Sequence, residues 1–286
     1  MRIEELVPGF AARLDGIDLG GHRSDALRGP VLDAFRTYAV LVVRGQDVSA
    51  DDAARFAGLL GPSFRSKDMT NLGDTGQIVD LDDFDLRLAK ANELWHVDMP
   101  VSVTPGQAAL LFAKEVPSAG GDTEFLDLRD AWDGLAPRDR TALVGILAVH
   151  DSARIRRRLG FQEEREVYQN RRVAQHPIAC FDPVSGRNHL YFGAHLSYFG
   201  DLNEEASDRI YESLLKKTVA TAKRYRHAWA VGDVVVWNVR TVLHRATPYD
   251  QRAERRRLWR YLVAGSTPLS GAQLDPTAPA ARAQVD

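Results

Sequence analysis

The chain has 286 residues, of which 44% are apolar and 27% are charged, a composition typical of globular proteins with a sizeable core. Its formal net charge of −2 gives no reason to expect a nucleic acid or a membrane surface as partner. The single cysteine, Cys180, excludes an internal disulfide, and no apolar run approaches the roughly 20 residues of a membrane span. Because the N-terminus also lacks the apolar segment of a signal peptide, we expect a cytoplasmic location.

The first third of the chain mixes predicted strands and helices. Turn signals at Asp15-Gly16 and Gly20-Gly21 predict a pair of short strands over residues 1–20. Helical spacing of apolar residues predicts helices over 24–36 and 49–60, and the β-branched run of 38–43 predicts a buried strand between them. Residues 63–92 are polar and irregular, and loops of this kind often select the substrate.

The rest of the chain is richer in predicted strands. Residue patterns favour helices over 127–135, 138–148 and 204–225. They favour a hairpin over 176–192 and a short strand that begins at Thr123. Further strands are predicted over 107–114, 227–230, 234–237, 242–244 and 258–263. Many short strands with helices gathered at the ends predict a mainly β fold, such as a sandwich or jelly roll, with flanking helices. Residues 266–286 are rich in proline and alanine, so we expect a frayed tail.

One segment, 151–172, is unusually basic. Its arginines stand at positions 154, 156, 157, 158, 165, 171 and 172. Two interpretations are open, a solvated helix face and a lid that draws an anionic substrate to a site.

The sequence Trp95-His96-Val97-Asp98 places an imidazole and a carboxylate two residues apart. In an extended strand, His96 and Asp98 would point the same way because side chains alternate between faces. Together they supply two-thirds of a facial site of two histidines and one carboxylate, which suits non-haem Fe(II) and leaves three coordination positions open. Such a pair is also common as an ordinary hydrogen-bonded surface pair, so a second histidine decides between the two.

Candidates for the remaining groups follow later in the chain. His244 ends the predicted strand 242–244, which follows Gly232-Asp233-Val-Val-Val-Trp237. Arg256 and Arg260 lie four residues apart on one face of a predicted strand. An inward-pointing arginine requires an anion, because an unpaired buried guanidinium is costly. With the Thr123 hydroxyl as a further donor, the set suits a dicarboxylate cosubstrate that binds the metal at one end and an arginine at the other.

Each of these candidates has a plainer interpretation. A register shift of one residue would turn Arg256 outward within a run of three arginines. Arg260 could form a structural ion pair, and Thr123 could serve only as a strand former. His195, which follows a predicted strand, suits a pocket wall and a structural position equally well.

Four motifs in this order make the chain resemble the Fe(II)/2-oxoglutarate-dependent dioxygenases of the taurine dioxygenase/TfdA-like family. They are Trp95-His96-Val97-Asp98, Pro117-Ser-Ala-Gly-Gly-Asp-Thr123, Gly232-Asp233-Val-Val-Val-Trp237 with His244 seven residues later, and the Arg-x3-Arg of 256 and 260. The resemblance covers residues 1–265, which it makes a single domain. One departure is Asn238-Val239, where the family usually has Asp-Asn after the tryptophan.

The resemblance implies a double-stranded β-helix fold, of the jelly-roll or cupin-like kind. It further implies Fe(II) as the metal, with 2-oxoglutarate and O2 as cosubstrates, and a homo-oligomer, either a dimer or a tetramer. The implied site consists of His96, Asp98 and His244 as iron ligands, Thr123 and Arg256 on the distal carboxylate of 2-oxoglutarate, Arg260 as the substrate's anion anchor, and Asn92 as a lining residue.

The substrate class depends on finer likeness. Residues 92–98, 127–132 and 227–244 look most like the branch that cleaves aryloxyalkanoic acids, which predicts hydroxylation and ether cleavage of a small anion, with release of succinate and CO2. A sulfonate or a biosynthetic carboxylate would suit the same residues. Two other classes remain. A metal-binding module would not need Arg256 with Thr123, and a metal-assisted hydrolase would need a general acid or base that does not stand out near His96.

Overall fold

Strands account for most elements of the computed structural model, which describes residues 1–20, 24–80, 89–161 and 171–273. The strands are β1 (Arg2–Val7), β2 (Ala11–Asp15), β3 (Val40–Val43), β4 (Ser63–Arg65), β5 (Met69–Thr70), β6 (Ala108–Glu115), β7 (Thr123–Asp127), β8 (Leu147–Asp151), β9 (Val173–Pro177), β10 (Ala179–Asp182), β11 (Arg187–Leu190), β12 (Leu196–Phe199), β13 (Arg224–His227), β14 (Val234–Asn238), β15 (Val242–Ala246), β16 (Arg257–Val263) and β17 (Ser270–Gly271).

The described helices flank these strands. They are α1 (Ser24–Thr37), α2 (Ala50–Leu60), α3 (Leu128–Asp133), α4 (Pro137–Leu143), α5 (Arg154–Arg158) and α6 (Glu204–Thr221), with a 3-10 helix over Lys90–Glu93. Ser49 caps α2 as its sequence predicts, because its hydroxyl accepts from the backbone N–H of Asp52 and the Asp52 carboxylate accepts from the Ser49 N–H. No described helix is long and apolar enough to cross a membrane.

One eight-stranded sheet forms the centre of the fold. Its order is β1-β2-β3-β14-β6-β16-β4, and β5 also pairs with β16. The pairs within it are antiparallel except β2 with β3. Three smaller antiparallel sheets complete the structure, in the orders β13-β7-β15, β12-β8-β9 and β11-β10-β17. The chain is therefore mainly β with flanking helices, as its sequence predicts.

The central strand β14 shows how the sheet joins two layers. Its side chains alternate, so that Val234 and Val236 pack with α1 and α2 on one face, while Val235 and Trp237 pack on the other face with Phe125 of β7. All five side chains are buried. The small β13-β7-β15 sheet therefore faces the large sheet, and the polar residues discussed below lie between the two.

Two predicted helices are too long. The helix predicted over 138–148 ends at Leu143 in the structure, because Gly145 adopts a left-handed φ of 79° and the chain then enters β8. The helix predicted over 204–225 ends at Thr221, since residues 224–227 pair as β13 with β7. In both places strand pairing with a distant segment overrides the local helical spacing.

The basic segment is held by carboxylates. Four of its arginines form ion pairs: Arg154 with Glu204 and Asp208, Arg158 with Asp208, and Arg157 and Arg171 with the fully buried Asp151. Arg154, Arg157 and Arg158 are mostly buried and fix α5 to α6 and β8, so neither a solvated helix face nor a lid for anions describes them. Arg171 lies outside α5 and is half exposed. The remainder of the predicted lid, residues 162–170, lies outside the described residues.

The C-terminal part also differs from its prediction. Ser270 and Gly271 pair with β10 as β17, and the Ala272 N–H donates to the Ala179 carbonyl. Residues 270–272 are therefore paired rather than frayed, and 274–286 lie outside the described part of the chain.

Candidate active site

Two imidazoles and one carboxylate meet between the two facing sheets. His96, Asp98 and His244 each offer a ligand atom within 4.8 Å of the others. His244 Nε2 is 3.5 Å from Asp98 Oδ2, comparable to the roughly 3 Å expected between neighbouring ligands that each lie about 2.1 Å from one ion. All three residues are buried. The arrangement is a facial set of two histidines and one carboxylate.

Backbone contacts hold the two ligand-bearing segments together. The His96 N–H donates to the His244 carbonyl and the His244 N–H donates to the His96 carbonyl, both over 2.9 Å. This pair is an isolated bridge, so the regular strand predicted around His96 is wrong, although His96 and Asp98 still face the same space. The chain at Gly193 passes directly behind His96. A Cβ built there would lie only 2.9 Å from the Cα of His96.

Neighbouring groups orient both imidazoles. His96 Nδ1 lies 2.8 Å from the Leu94 carbonyl, which can only accept, so Nδ1 carries the proton and Nε2 keeps its lone pair for a metal. The ring of His244 contacts the neighbouring rings of Trp237 and Phe125, with centroid distances of 4.9 and 6.1 Å. These contacts fix the planes of the rings before any ion binds.

The electrostatic environment keeps the three groups in their metal-binding protonation states. Burial lowers the pKa of His96 and lowers the pKa of His244 to about 3, so both imidazoles are neutral at pH 7. Burial alone would raise the pKa of Asp98, but the two imidazoles and Arg260 lower it below its ordinary value. Two neutral nitrogen donors and one carboxylate are therefore available to a cation.

A cavity connects the three groups with both predicted arginines. It is lined by Met69, Asn92, His96, Asp98, Leu111, Thr123, Trp237, His244, Ala246, Arg256 and Arg260. An adjoining cavity of about 280 Å³ shares Met69, Asn92, Ala246 and Arg256 with it. A larger cavity of about 820 Å³ lies between α4 and α6, and none of the predicted site residues lines it.

Arg256 is a buried cation without a carboxylate partner among the described residues. Only 6% of it is exposed, and the one hydrogen bond of its guanidinium within the described residues runs from Nη2 to the Gly121 carbonyl over 3.4 Å. The Nε of Arg256 has no hydrogen-bond partner among the described residues, and burial lowers the pKa of the guanidinium. Arg256 directly precedes β16 and lies 5.7 Å from the Tyr249 ring centre. Such a group requires an anion, and Arg256 lines the same cavity as the three metal-binding groups.

The other predicted residues have different positions. Arg260 lines the cavity, donates from Nη2 to Ser66 Oγ over 2.9 Å, and forms no ion pair within the described ranges. Asn92 lines both cavities and donates to the Ala89 carbonyl. His195 lies beside the metal centre, with its ring 6.4 Å from that of His96, and burial lowers its pKa to about 3. It does not line the cavity itself.

Sequence reasoning missed several contributors. Trp229 donates from its indole N–H to Thr123 Oγ1, and Gly193 allows the close approach behind His96. Trp237 was noted only as part of a motif, yet its ring contacts His244. The unusual Asn238 accepts from the Arg240 N–H in the turn that leads to β15, so it stabilises the connection to His244.

Comparison with known proteins identifies the chain. The family model described as "Taurine catabolism dioxygenase TauD, TfdA family" matches residues 2–262. The chain belongs to this family. It is 33% identical over 268 residues to the alpha-ketoglutarate-dependent 2,4-dichlorophenoxyacetate dioxygenase of Cupriavidus pinatubonensis, covering 87% of this chain and 93% of that protein. It is 29% identical over 242 residues to the (S)-phenoxypropionate/alpha-ketoglutarate-dioxygenase of Sphingobium herbicidovorans, covering 81% and 84%.

A solved structure agrees with this assignment. The crystal structure of AAD-2 in complex with Mn(II) and N-oxalylglycine matches with a TM-score of 0.87 and 28% identity, over 93% of this chain and 99% of that chain. The predicted double-stranded β-helix fold is thereby confirmed. This TauD/TfdA-family protein is an enzyme, a dioxygenase that depends on Fe(II) and 2-oxoglutarate, the compound also called alpha-ketoglutarate.

The residues present fit an Fe(II) ion. Asp98 Oδ2 is buried and has no hydrogen-bond partner among the described residues, which is expected of an atom reserved for a metal. Two imidazole nitrogens and one carboxylate oxygen on a single face are the donor set that Fe(II) oxygenases use. His96, Asp98 and His244 are therefore the residues that hold the iron.

Proposed function

We propose that this dioxygenase hydroxylates a small aryloxyalkanoate-like acid at the carbon that carries the ether oxygen. The hydroxylated carbon then bears two oxygens, and breakage of its ether bond releases a phenol and leaves a carbonyl group. Identity of about a third to a 2,4-dichlorophenoxyacetate dioxygenase over nearly the whole chain supports the substrate class. The observation that carries the proposal is a second guanidinium, that of Arg260, which lines the cavity and has Ser66 Oγ as its one hydrogen-bond partner among the described residues.

Arg256 and Thr123 are proposed to bind the distal carboxylate of 2-oxoglutarate. Both line the cavity that contains the three metal ligands, so one molecule can reach the metal with its oxo-acid end and these two residues with its other end. A guanidinium that lacks a carboxylate partner offers a bidentate, charge-assisted contact. The hydroxyl of Thr123 adds one further donor.

Arg260 is proposed to anchor the carboxylate of the prime substrate. Its Nε is buried and has no partner within the described residues, so it still has a hydrogen bond to donate. Asn92 lies where the two cavities join and is proposed to border the substrate. His195, beside His96, is proposed to limit the substrate space on that side.

When bound, Fe(II) supplies the activation of O2, which couples the decarboxylation of 2-oxoglutarate to hydroxylation of a C–H bond. The protein positions the two substrates and excludes water from the cavity that they occupy. Leu111, Trp237 and Met69 give the cavity apolar walls beside the charged anchors. Because apolar walls leave few places for water, the contacts to both carboxylates gain strength.

Succinate and phenol release measured together test this proposal. Protein loaded with Fe(II) would be given 2-oxoglutarate, O2 and, in parallel, phenoxyacetate, 3-phenylpropionate, taurine or an alkyl sulfate. We expect phenoxyacetate to stimulate succinate release with one phenol per succinate. 3-Phenylpropionate, which has CH2 in place of the ether oxygen, should be hydroxylated without losing its aryl group. Stimulation by the sulfonate or the sulfate ester alone would contradict the proposed substrate class.

An Arg260→Gln variant tests the anchor. We expect its apparent KM for phenoxyacetate to rise by roughly tenfold or more, as for the loss of a hydrogen bond to a charged group, with a much smaller change for 2-oxoglutarate. The opposite pattern would show that the roles of Arg256 and Arg260 are exchanged.

Three expectations from the sequence stay proposals. We propose a single dioxygenase domain over 1–265, a homo-oligomer, either a dimer or a tetramer, and a cytoplasmic location. Light scattering on the purified chain would measure the oligomeric state, with a monomer as the contradicting result.

A further inference from the structure

Trp229 lies next to the proposed 2-oxoglutarate site without lining its cavity. It follows β13, whose last residue, His227, pairs directly with Thr123 of β7. The indole N–H of Trp229 donates to Thr123 Oγ1 over 3.1 Å. Thr123 is only 3% exposed, so this contact is made in an environment largely closed to water.

The direction of this hydrogen bond determines what Thr123 can still do. An indole N–H can only donate, so the Thr123 oxygen acts as the acceptor here. The hydroxyl proton is then left for another partner, and no described residue accepts it. Because Thr123 lines the cavity together with Arg256, the proton is available to an anion bound there.

A buried polar network holds the indole in place. The His227 ring meets the Trp229 ring edge to face, with centroids 4.5 Å apart. Tyr225 O–H lies 3.0 Å from His227 Nδ1, and His227 Nε2 lies 3.0 Å from Asp233 Oδ2. Since a carboxylate can only accept, His227 carries its proton on Nε2 and Tyr225 donates to Nδ1.

Asp233 connects this network to the large sheet. Its Oδ2 also accepts from Arg44 Nη1 over 2.6 Å and from the Ala230 N–H over 2.9 Å. Asp233 is 1% exposed and His227 is fully buried. The turn that carries Trp229 is therefore fixed at both ends, which fixes the position of the indole N–H.

We propose that Trp229 is a positioning residue for 2-oxoglutarate, because its N–H orients the Thr123 hydroxyl as a donor to the distal carboxylate. The inference rests on the proposed role of Thr123. Trp229 does not touch the cosubstrate, so its effect passes through Thr123. Without the indole N–H, the hydroxyl could rotate to other partners, and the carboxylate would lose an oriented donor.

A double-mutant cycle on binding tests this inference. Calorimetric titration of the Mn(II)-loaded full chain with 2-oxoglutarate, without O2, gives a Kd that does not depend on turnover. We expect Thr123→Val to raise the Kd at least tenfold and Trp229→Phe to raise it about fivefold, as for losing one hydrogen bond and weakening one. In the Thr123→Val background, Trp229→Phe should change the Kd by less than about twofold. A Thr123→Ser background, which keeps the hydroxyl, should restore the full effect.

Two further variants separate positioning from packing. Trp259→Phe is the matched control, because Trp259 lies in β16 and packs with the helix-facing core and the cations of Arg65 and Lys114. It should leave the Kd unchanged. If Trp229→Phe does not fold, 3-benzothienylalanine at position 229 keeps the ring shape without the N–H and should give the same fivefold rise.

The outcomes distinguish the inference from the function on which it rests. No effect of Thr123→Val on the Kd would contradict the proposed 2-oxoglutarate site. An effect of Thr123→Val together with no effect of Trp229→Phe would overturn only the role of Trp229. An equal effect of Trp229→Phe with and without the Thr123 hydroxyl would likewise overturn it, because packing alone would then account for the change.

Discussion

Several buried polar atoms of this dioxygenase lack a hydrogen-bond partner within the described part of the chain, and five of them belong to residues that line one cavity. They are Asp98 Oδ2, Trp237 Nε1, His244 Nδ1, Arg256 Nε and Arg260 Nε. Leaving such atoms unpaired costs stability, and charged groups cost most. Asp98 Oδ2 and the two guanidinium groups indicate that the site is completed by charged ligands, a cation at Asp98 and carboxylate anions at the arginines.

Arg256 gives the most direct test at the level of single residues. We predict that Arg256→Gln raises the apparent KM for 2-oxoglutarate by roughly 10²-fold, because a buried charged pair is lost. The neighbouring Arg255 pairs with Glu115 and is about half exposed, so Arg255→Gln is a matched control that should change this KM little. Equal effects of the two substitutions would contradict a specific role for Arg256.

At the level of elements, the connection between β11 and β12 supports the metal centre from behind. The Ala194 N–H donates to the Trp95 carbonyl over 2.9 Å, which holds this connection against the ligand segment. Gly193 then passes so close to His96 that a Cβ would lie 2.9 Å from its Cα and 3.0 Å from the Val97 nitrogen. The atoms that a Cβ at position 193 would meet all belong to the backbone of His96 and Val97, so no flexible side chain can move to make room for it.

We therefore predict that Gly193→Ala weakens metal binding. Displacement of His96 should lower the Fe(II) or Mn(II) affinity at least tenfold and lower the free energy of unfolding by about 1–3 kcal/mol, as overpacking does. A matched control is Gly58→Ala in α2, where an added Cβ meets nothing within 4 Å. This substitution should stabilise the helix by about 0.5–1 kcal/mol, because glycine within a helix is less favourable than alanine. Unchanged metal affinity in Gly193→Ala would show that the connection does not position His96.

At the level of the whole molecule, buried histidines make stability depend on pH. His189 is buried, and burial lowers its pKa to about 4, while an exposed histidine titrates near about 6.5. The unfolded chain thus takes up a proton that the folded chain refuses. The stability that neutral His189 contributes is complete above about pH 6.5 and is lost as the pH falls towards 4.

For His189 alone, this linkage predicts a loss of about 2 kcal/mol in the free energy of unfolding between pH 7.5 and pH 5. Urea unfolding at both pH values, with a chelator present, should show that His189→Gln reduces the pH-dependent loss by about this amount. Asn188→Ser, at the neighbouring position without a titratable group, should leave the loss unchanged. An identical pH dependence in His189→Gln would contradict the buried neutral state.

Most of the chemistry, but less of the architecture around it, can be predicted from the sequence. The period-two spacing of His96 and Asp98 predicts their common direction, although the strand that the argument assumes is absent. The Trp229 contact with Thr123 depends on the register between β13 and β7, segments about 100 residues apart, which no local pattern encodes. The requirement for glycine at position 193 cannot be predicted from the sequence either, because it arises only from the close packing of this backbone against His96.

The central claim is that His96, Asp98 and His244 hold an iron that 2-oxoglutarate reaches. The most direct measurement is the visible absorption of the protein on addition of Fe(II) and then 2-oxoglutarate without O2. We predict a weak charge-transfer band that requires both additions, saturates at one iron per chain and is missing in His96→Ala. No band from wild-type protein that has bound iron, or an undiminished band in His96→Ala, would contradict the claim.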